Sequence, residues 1–228
     1  MKIYEKFFKR VIDFCLSFTA LIILFPLILI LSIIGIVMMK GNPFFFQPRP
    51  GKDEKIFNLI KFRTMSNIKD RNGNLLPDEV RLNGYGRFLR STSLDELPSL
   101  INILYGNLAI VGPRPQLVRD MVFMSDEQRK RHSVRPGLTG LAQINGRNNI
   151  TWEQKFEYDL RYIEKISFFG DLRIILKTFE KVVKRIDIVR EGTVSDIDFG
   201  DWLLSKNKIT KEEYDKKQEE ARKILRKG

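Results

Sequence analysis

The sequence predicts a mostly helical α+β chain with one membrane-embedded segment. Three observations predict it. From Phe14 to Met39, 26 residues pass without an Asp, Glu, Lys or Arg. Ile56 to Phe62 alternates well enough for a short strand. Two later stretches repeat apolar residues at helical spacing. The first is Trp152, Phe156, Leu160 and Ile163. The second runs through Phe168, Phe169, Leu172, Ile175, Leu176, Phe179, Val182, Val183 and Ile186.

The uncharged run comes first in the chain. As a straight helix it would measure about 39 Å, against a hydrocarbon core of about 30 Å. The plain reading is one transmembrane helix. It is too long for a signal-peptide core, and no small-residue cleavage site follows. Two features count against a simple span. Pro26 sits mid-run, where it removes a backbone hydrogen bond. Both flanks are also basic. Lys2, Lys6, Lys9 and Arg10 precede the run, and Lys40, Arg49, Lys52, Lys55, Lys61 and Arg63 follow it. A span wants one basic side. A re-entrant hairpin broken near Pro26 satisfies both flanks. On the residues alone, span and hairpin both stay open.

Residues 41–51 read as a Pro- and Gly-rich connector, with Phe44, Phe45 and Phe46 suited to a membrane interface. Residues 70–78 read as a loop around Asn72-Gly73. Glu79 to Arg90 reads as a helix. Ser93-Leu94-Asp95-Glu96-Leu97-Pro98 reads as a helix start with Asp95 as N-cap. Leu97, Ile101, Leu104 and Leu108 form its apolar stripe, and Gly106-Asn107 its stop. Gly112-Pro113-Arg114-Pro115, Arg135-Pro136-Gly137 and Asn145-Gly146-Arg147-Asn148 are stiff turns. The 168–186 helix has a second face of Arg173, Lys177, Lys181, Lys184 and Arg185. Such a helix packs on a core or lies flat on an anionic membrane. Residues 205–228 are dense in charge. Glu212, Lys216 and Glu220 at i,i+4 spacing suggest a solvated helix.

Composition narrows the chemistry. Forty Lys and Arg against 28 Asp and Glu leave a net charge of +12 over 228 residues, which points to anionic partners. One cysteine, Cys15, excludes a disulfide framework and a cysteine zinc cage. One histidine, His132, argues against a His-rich metal site and reads as structural or surface. No G-x-G-x-x-G and no P-loop is present. Carboxylates, arginines and stiff turns remain. A carboxylate at a helix start can cap the helix or act as a phosphoryl-accepting nucleophile. Arg90, Arg114 and Arg147 each neighbour a turn or helix end, where a guanidinium can be held toward a phosphate.

Taken in order, these pieces resemble a known family. They are the basic N-terminus, the Pro-broken apolar run, Gln47-Pro48-Arg49-Pro50-Gly51 and Lys61-Phe62-Arg63-Thr64-Met65. Then come Ser93 to Pro98, Val111-Gly112-Pro113-Arg114-Pro115, Arg135 to Gly140 and Asn145-Gly146-Arg147. The set resembles the bacterial sugar transferases, the monotopic polyprenyl-phosphate phosphoglycosyl transferases, in their small form. It covers about residues 1–195. Many relatives carry Ser before the helix-breaking proline, where this chain has Phe25.

The resemblance implies a monotopic fold: a re-entrant helix over 1–40, a catalytic domain with interfacial amphipathic helices over 41–200, and a charged tail over 201–228. It implies a bacterial inner-membrane enzyme on the cytoplasmic face. That enzyme would move a sugar-1-phosphate from a UDP-sugar to polyprenyl phosphate, release UMP, and use Mg²⁺. By analogy Asp95 is the nucleophile and a metal ligand, and Glu96 is its partner. Arg90, Arg114, Arg147, Lys61 and Arg63 fall on substrate-phosphate positions, and Asp159 is a further acidic site residue. Anionic lipids are expected partners and nucleic acid is not. The sugar tilts slightly toward an N-acetylated or amino-modified one, with galactose and glucose open, and oligomeric state is open too. The competing expectation is a single-span anchor carrying a basic binding or scaffold domain, motivated by the charge alone.

Overall fold

The computed structural model describes residues 3–146, 150–184 and 197–227. It is mostly helical. A π-helical turn, Tyr4–Phe8, leads into helix α1, Lys9–Met39. Pro26 lies inside α1, and the helix continues past it. Lacking an amide hydrogen there, the helix leaves the Ile22 carbonyl without its usual donor.

One stripe of α1 is covered. Asp13, Ser17, Leu31, Gly35 and Met39 are buried. Ala20, Leu21, Leu24, Leu27 and Ile28 pack beside them on two cores. The other side exposes Ile22, Ile23, Phe25, Ile33 and Val37. Both ends of the helix are tied to the same body. Arg10 Nη2 donates to the Leu104 carbonyl (2.7 Å). Asn83 Nδ2 donates to the Met38 carbonyl (3.1 Å).

Strands β1 (Phe44–Pro50) and β2 (Ile56–Phe62) form an antiparallel ribbon, in register from Phe44↔Phe62 to Pro50↔Ile56. The connector read over 41–51 is therefore mostly strand. Its prolines survive because β1 is an outer strand. Asn58 and Ile60 turn their polar groups away from β1, toward Asn102. Pro48, opposite Asn58, therefore has its missing donor on the outer edge, as does Pro50 two residues on.

The predicted helix over 79–90 is two helices, α2 (Asp78–Arg81) and α3 (Gly84–Thr92). Asn83 divides them, because its side chain accepts from Gly86 N and starts a new helix. Asp95 is not an N-cap. Ser93 holds the boundary with φ 56°, and Leu94–Ser99 is a 3-10 turn carrying Asp95 and Glu96. Helix α4, Leu100–Tyr105, follows and stops at Gly106. The tighter turn rotates the buried face to Leu100, Asn102 and Ile103, away from the expected Ile101 and Leu104.

Strand β3 (Ala109–Val111) leads through the Gly112–Pro115 turn to helices α5 (Val118–Met121) and α6 (Asp126–Arg129). Strand β4 (Gly137–Thr139) pairs parallel to β3. Then come α7 (Leu141–Ile144), α8 (Trp152–Glu164) and α9 (Phe168–Lys184). Helix α8 opens on a capping box of Thr151 and Gln154. The predicted end of α9, residues 185–186, lies outside the described residues.

Helix α9 buries Asp171 and Ile174 but exposes Phe169, Leu172, Leu176, Phe179 and Val183, with Phe169 at 79% and Phe179 at 70%. Burying one such side chain is worth about 1.5–3 kcal/mol, so this stripe is matched to an apolar environment. Asp171 joins it to the base of α1. Lys9 Nζ (2.6 Å) and Tyr4 Oη (2.8 Å) donate to Oδ2, and Tyr162 Oη donates to Oδ1 (2.9 Å). Tyr4 meets Phe168 edge-on at 6.0 Å. The N-terminal ends of α1 and α9 are thus joined.

The tail forms α10 (Phe199–Ser205) and α11 (Lys211–Lys227). It is docked as well as solvated. Ala221 is buried against Val118, Met121 and Val122, with Ile224 beside it.

Candidate active site

The 3-10 turn bearing Asp95 and Glu96 is pinned to β2 by side chains. Ser99 Oγ donates to the Ile60 carbonyl (2.6 Å). Asn102 accepts from Ile60 N (2.9 Å) and donates to the Asn58 carbonyl (2.8 Å). These bonds occupy the strand edge that β1 does not cover. They also bring the turn to Lys61, the next residue of β2.

Glu96 Oε1 receives Lys61 Nζ (2.8 Å) and Arg114 Nη2 (2.7 Å). Burial pushes the Lys61 ammonium down, and Glu96 opposes that push. The Asp95 charge acts on both Lys61 and Arg90. Arg90 Nε donates to Thr64 Oγ1 (3.0 Å). Burial lowers the Arg90 pKa, and Asp95 then Asp78 resist the shift. The structure therefore brings together Lys61, Arg90, Asp95, Glu96 and Arg114.

Arg49 is the residue that sequence reasoning did not place in the site. It lines one pocket with Lys61, Glu96, Ser99, Arg114 and Pro115. Its Nη1 donates to the Pro115 carbonyl (2.9 Å), and its Nη2 donates to Gln47 Oε1 (2.6 Å). Those acceptors are neutral. Burial, followed by the Arg114 charge, pushes its pKa down. The available signal was an arginine fixed between Pro48 and Pro50. Three cations (Arg49, Lys61, Arg114) and one carboxylate (Glu96) line the pocket. Such an excess suits a polyanion.

Two other expected residues have partners of their own. Arg63 Nη2 donates to the Phe44 carbonyl (3.3 Å), and Arg63, like Asp95 and Arg90, does not line that pocket. Asp159 lies behind Arg114. Its Oδ2 accepts from Arg131 Nε (2.9 Å) and Nη2 (2.6 Å), with the two side chains 2% and 1% exposed. Arg131 Nη2 also donates to the Arg114 carbonyl (2.6 Å). Asp159 thus acts on the Arg114 backbone through Arg131. Arg147 lies outside the described residues.

The turn carrying Arg114 is held by backbone contact. Gly112 N donates to the Thr139 carbonyl, and Gly137 N donates to the Pro113 carbonyl, both at 2.9 Å. A Cβ on Gly137 would lie 2.0 Å from Gly112 N, so only glycine permits this approach.

His132 is buried beside Glu54, its Nδ1 3.4 Å from Oε1. Burial, then the Arg131 and Arg129 charges, push it down to about 3. It is neutral at pH 7 and structural. An unfolded histidine titrates near 6.5, so on acidification the unfolded chain takes up the proton first. The stability His132 contributes is complete above about pH 6.5 and is lost as pH falls toward 3, at up to about 1.4 kcal/mol per pH unit. Urea midpoints at pH 7 and pH 5 check this. His132→Gln should shrink the difference between them.

Comparison with known proteins identifies the family. The model of the family described as bacterial sugar transferase matches residues 4–185. The chain is 50% identical over 182 residues to the "uncharacterized sugar transferase EpsL" of Bacillus subtilis, covering 77% of this chain and 87% of that one. It is 39% identical over 188 residues to the UDP-glucose:undecaprenyl-phosphate glucose-1-phosphate transferase of Klebsiella pneumoniae, covering 76% of this chain and 40% of that one. It is 32% identical over 199 residues to the undecaprenyl-phosphate galactose phosphotransferase of Salmonella typhimurium, covering 79% and 41%. The chain therefore spans most of the length of EpsL but about two fifths of the two named phosphotransferases.

Proposed function

The chain belongs to the bacterial sugar transferase family, and on that premise we propose that it transfers a sugar-1-phosphate from a UDP-sugar to undecaprenyl phosphate. The observation that carries this reading is the Asp95–Glu96 turn set among Lys61, Arg90, Arg114 and Arg49. An acidic pair beside that many cations suits a nucleophile facing a diphosphate.

The chemistry follows in two displacements. An Asp95 carboxylate oxygen bonds to the β-phosphorus, and the bond from that phosphorus to the bridging oxygen breaks. UMP leaves with the electron pair. A phosphate oxygen of the polyprenyl phosphate then attacks the same phosphorus and releases the Asp95 carboxylate. The product is a polyprenyl-diphosphate-linked sugar. Lys61, Arg90 and Arg114 hold the negative charge in place. Glu96 aligns Lys61 and Arg114 by accepting from both.

Mg²⁺ fits this site only as a companion of substrate. Among the described residues no group of three His, Cys, Asp or Glu gathers, and Glu96 Oε1 already carries two cations. Magnesium is commonly held by one or two carboxylates together with substrate phosphates. Asp95 would be the protein ligand, and the ion would neutralise charge growing on the leaving phosphate. Titrating Mg²⁺ into the protein alone should show no saturable binding below the millimolar range. Adding UDP should create it.

The proposal extends to the membrane arrangement of α1. Its two ends are tied to one body, which supports entry and exit at one face. The exposed apolar stripe of α9 offers a second surface suited to the same membrane. In a Cys15→Ser background, single cysteines within residues 2–10 and 41–50 should label from the cytoplasmic side only. Labelling from opposite sides would restore the single-span reading.

The test of the reaction is UMP release with undecaprenyl phosphate and Mg²⁺ across UDP-glucose, UDP-galactose and N-acetylated UDP-sugars. UMP formed with at least one donor, and dependent on the lipid phosphate, is the expected result. No release with any donor would count against the reading.

A further inference from the structure

The segment 199–227 lies beyond the family-matched residues 4–185, yet it packs against the back of the anion site. We propose that this tail is a positioning element, which fixes the Gly112–Pro115 turn and through it the guanidiniums of Arg114 and Arg49. The inference rests on the reading of that site given above.

The tail reaches the turn by two routes. The first runs through Asp120, a carboxylate 2% exposed. Its Oδ1 accepts from Phe199 N (2.9 Å), and its Oδ2 accepts from Leu117 N (3.1 Å). One side chain thus ties the start of α10 to the residue two beyond Pro115, whose carbonyl receives Arg49. Arg119 and Asp198 add an ion pair beside it. The second route is aromatic. Phe199 packs on Trp152 (5.2 Å) and Phe156 (5.0 Å). Arg131 lies over Phe156 at 5.9 Å and holds the Arg114 carbonyl.

The seating is close. A Cβ on Gly200 would lie 2.5 Å from the Phe123 ring. Tyr214 stacks on the same ring at 5.7 Å, and Ala221 fills the gap over Val118, Met121 and Val122. None of these tail side chains lines the pocket. Their effect is to order the turn before an anion arrives, so that binding does not have to order it.

The test uses the full chain with Ala221→Glu, Phe199→Ala and the conservative Ala221→Ser. Hydrogen exchange over residues 109–118 reads the grip of the tail on the turn with no ligand present. UDP titration of the same proteins reads the consequence for the site. Faster exchange at 109–118 in both disruptive variants, about tenfold weaker UDP binding and wild-type behaviour of Ala221→Ser are expected. Limited proteolysis within α11 shows which variants release the tail. A released tail with wild-type exchange and wild-type UDP affinity would overturn the proposal. If the wild type itself binds no UDP, the reading of the site fails, and the exchange data alone decide whether the tail orders the turn.

Discussion

Asp95→Asn should lower UMP release by about a thousandfold or more, while UDP still binds. An amide of the same shape keeps the 3-10 turn, because Ser99 and Asn102 pin it independently of Asp95. What it loses is the oxygen that would bond to phosphorus, and loss of a nucleophile removes most of the chemical rate. Glu96→Gln gives the informative contrast. It weakens the contacts to Lys61 and Arg114 without removing the attacking group. Its loss should be smaller, on the order of tens-fold, with a larger share in KM. Mass spectrometry after mixing with UDP-sugar should find a phospho-sugar adduct on the wild type and none on Asp95→Asn. Near-normal turnover by Asp95→Asn would move the nucleophile elsewhere.

Asp159→Leu should be the most destabilising single change around the site. Arg131 and Asp159 are both almost fully buried. Removing the carboxylate strands a guanidinium, at a cost of about 3–5 kcal/mol. For a chain of this size that corresponds to a drop of roughly 10 °C in Tm. The double change Arg131→Met with Asp159→Leu should recover most of the stability, since no buried charge is then left alone. It should weaken UDP binding below that of the single variant, because only the double change removes the donor to the Arg114 carbonyl. Calorimetry and UDP titration on the single and double variants separate the two effects. Wild-type UDP binding by the double variant would show that Arg131 serves stability alone.

Much of this was legible in the sequence, for identifiable reasons. Helices α8 and α9 announce themselves by period, and α1 by its lack of charge. Lys61, Glu96 and Arg114 stand in short stiff motifs, and the structure joins them by two ion pairs. The misses are also instructive. The strand β1 reads as a connector because Pro48 and Pro50 forbid most strands. They are allowed only on an outer edge, and that is a property of the finished ribbon. The split between α2 and α3 hangs on one side chain, Asn83, which looks like any polar helix residue. The role of Arg131 depends on a partner 28 positions away, and no local pattern reports it. Residues 205–228 read as solvated because their charges far outnumber Ala221, the one buried residue among those described there.

The ribbon has one more consequence, for how copies of this chain can meet. A protein that displays the apolar faces of α1 and α9 will crowd with its neighbours wherever it concentrates. Exposed strand edges in such a setting invite pairing between chains and irreversible aggregation. Here the edge of β2 is occupied by Ser99 and Asn102, and the edge of β1 lacks donors at Pro48 and Pro50. The ribbon thus offers a poor template for strand addition on either side. Contact between copies is left to side-chain surfaces, which detergent or lipid can reverse.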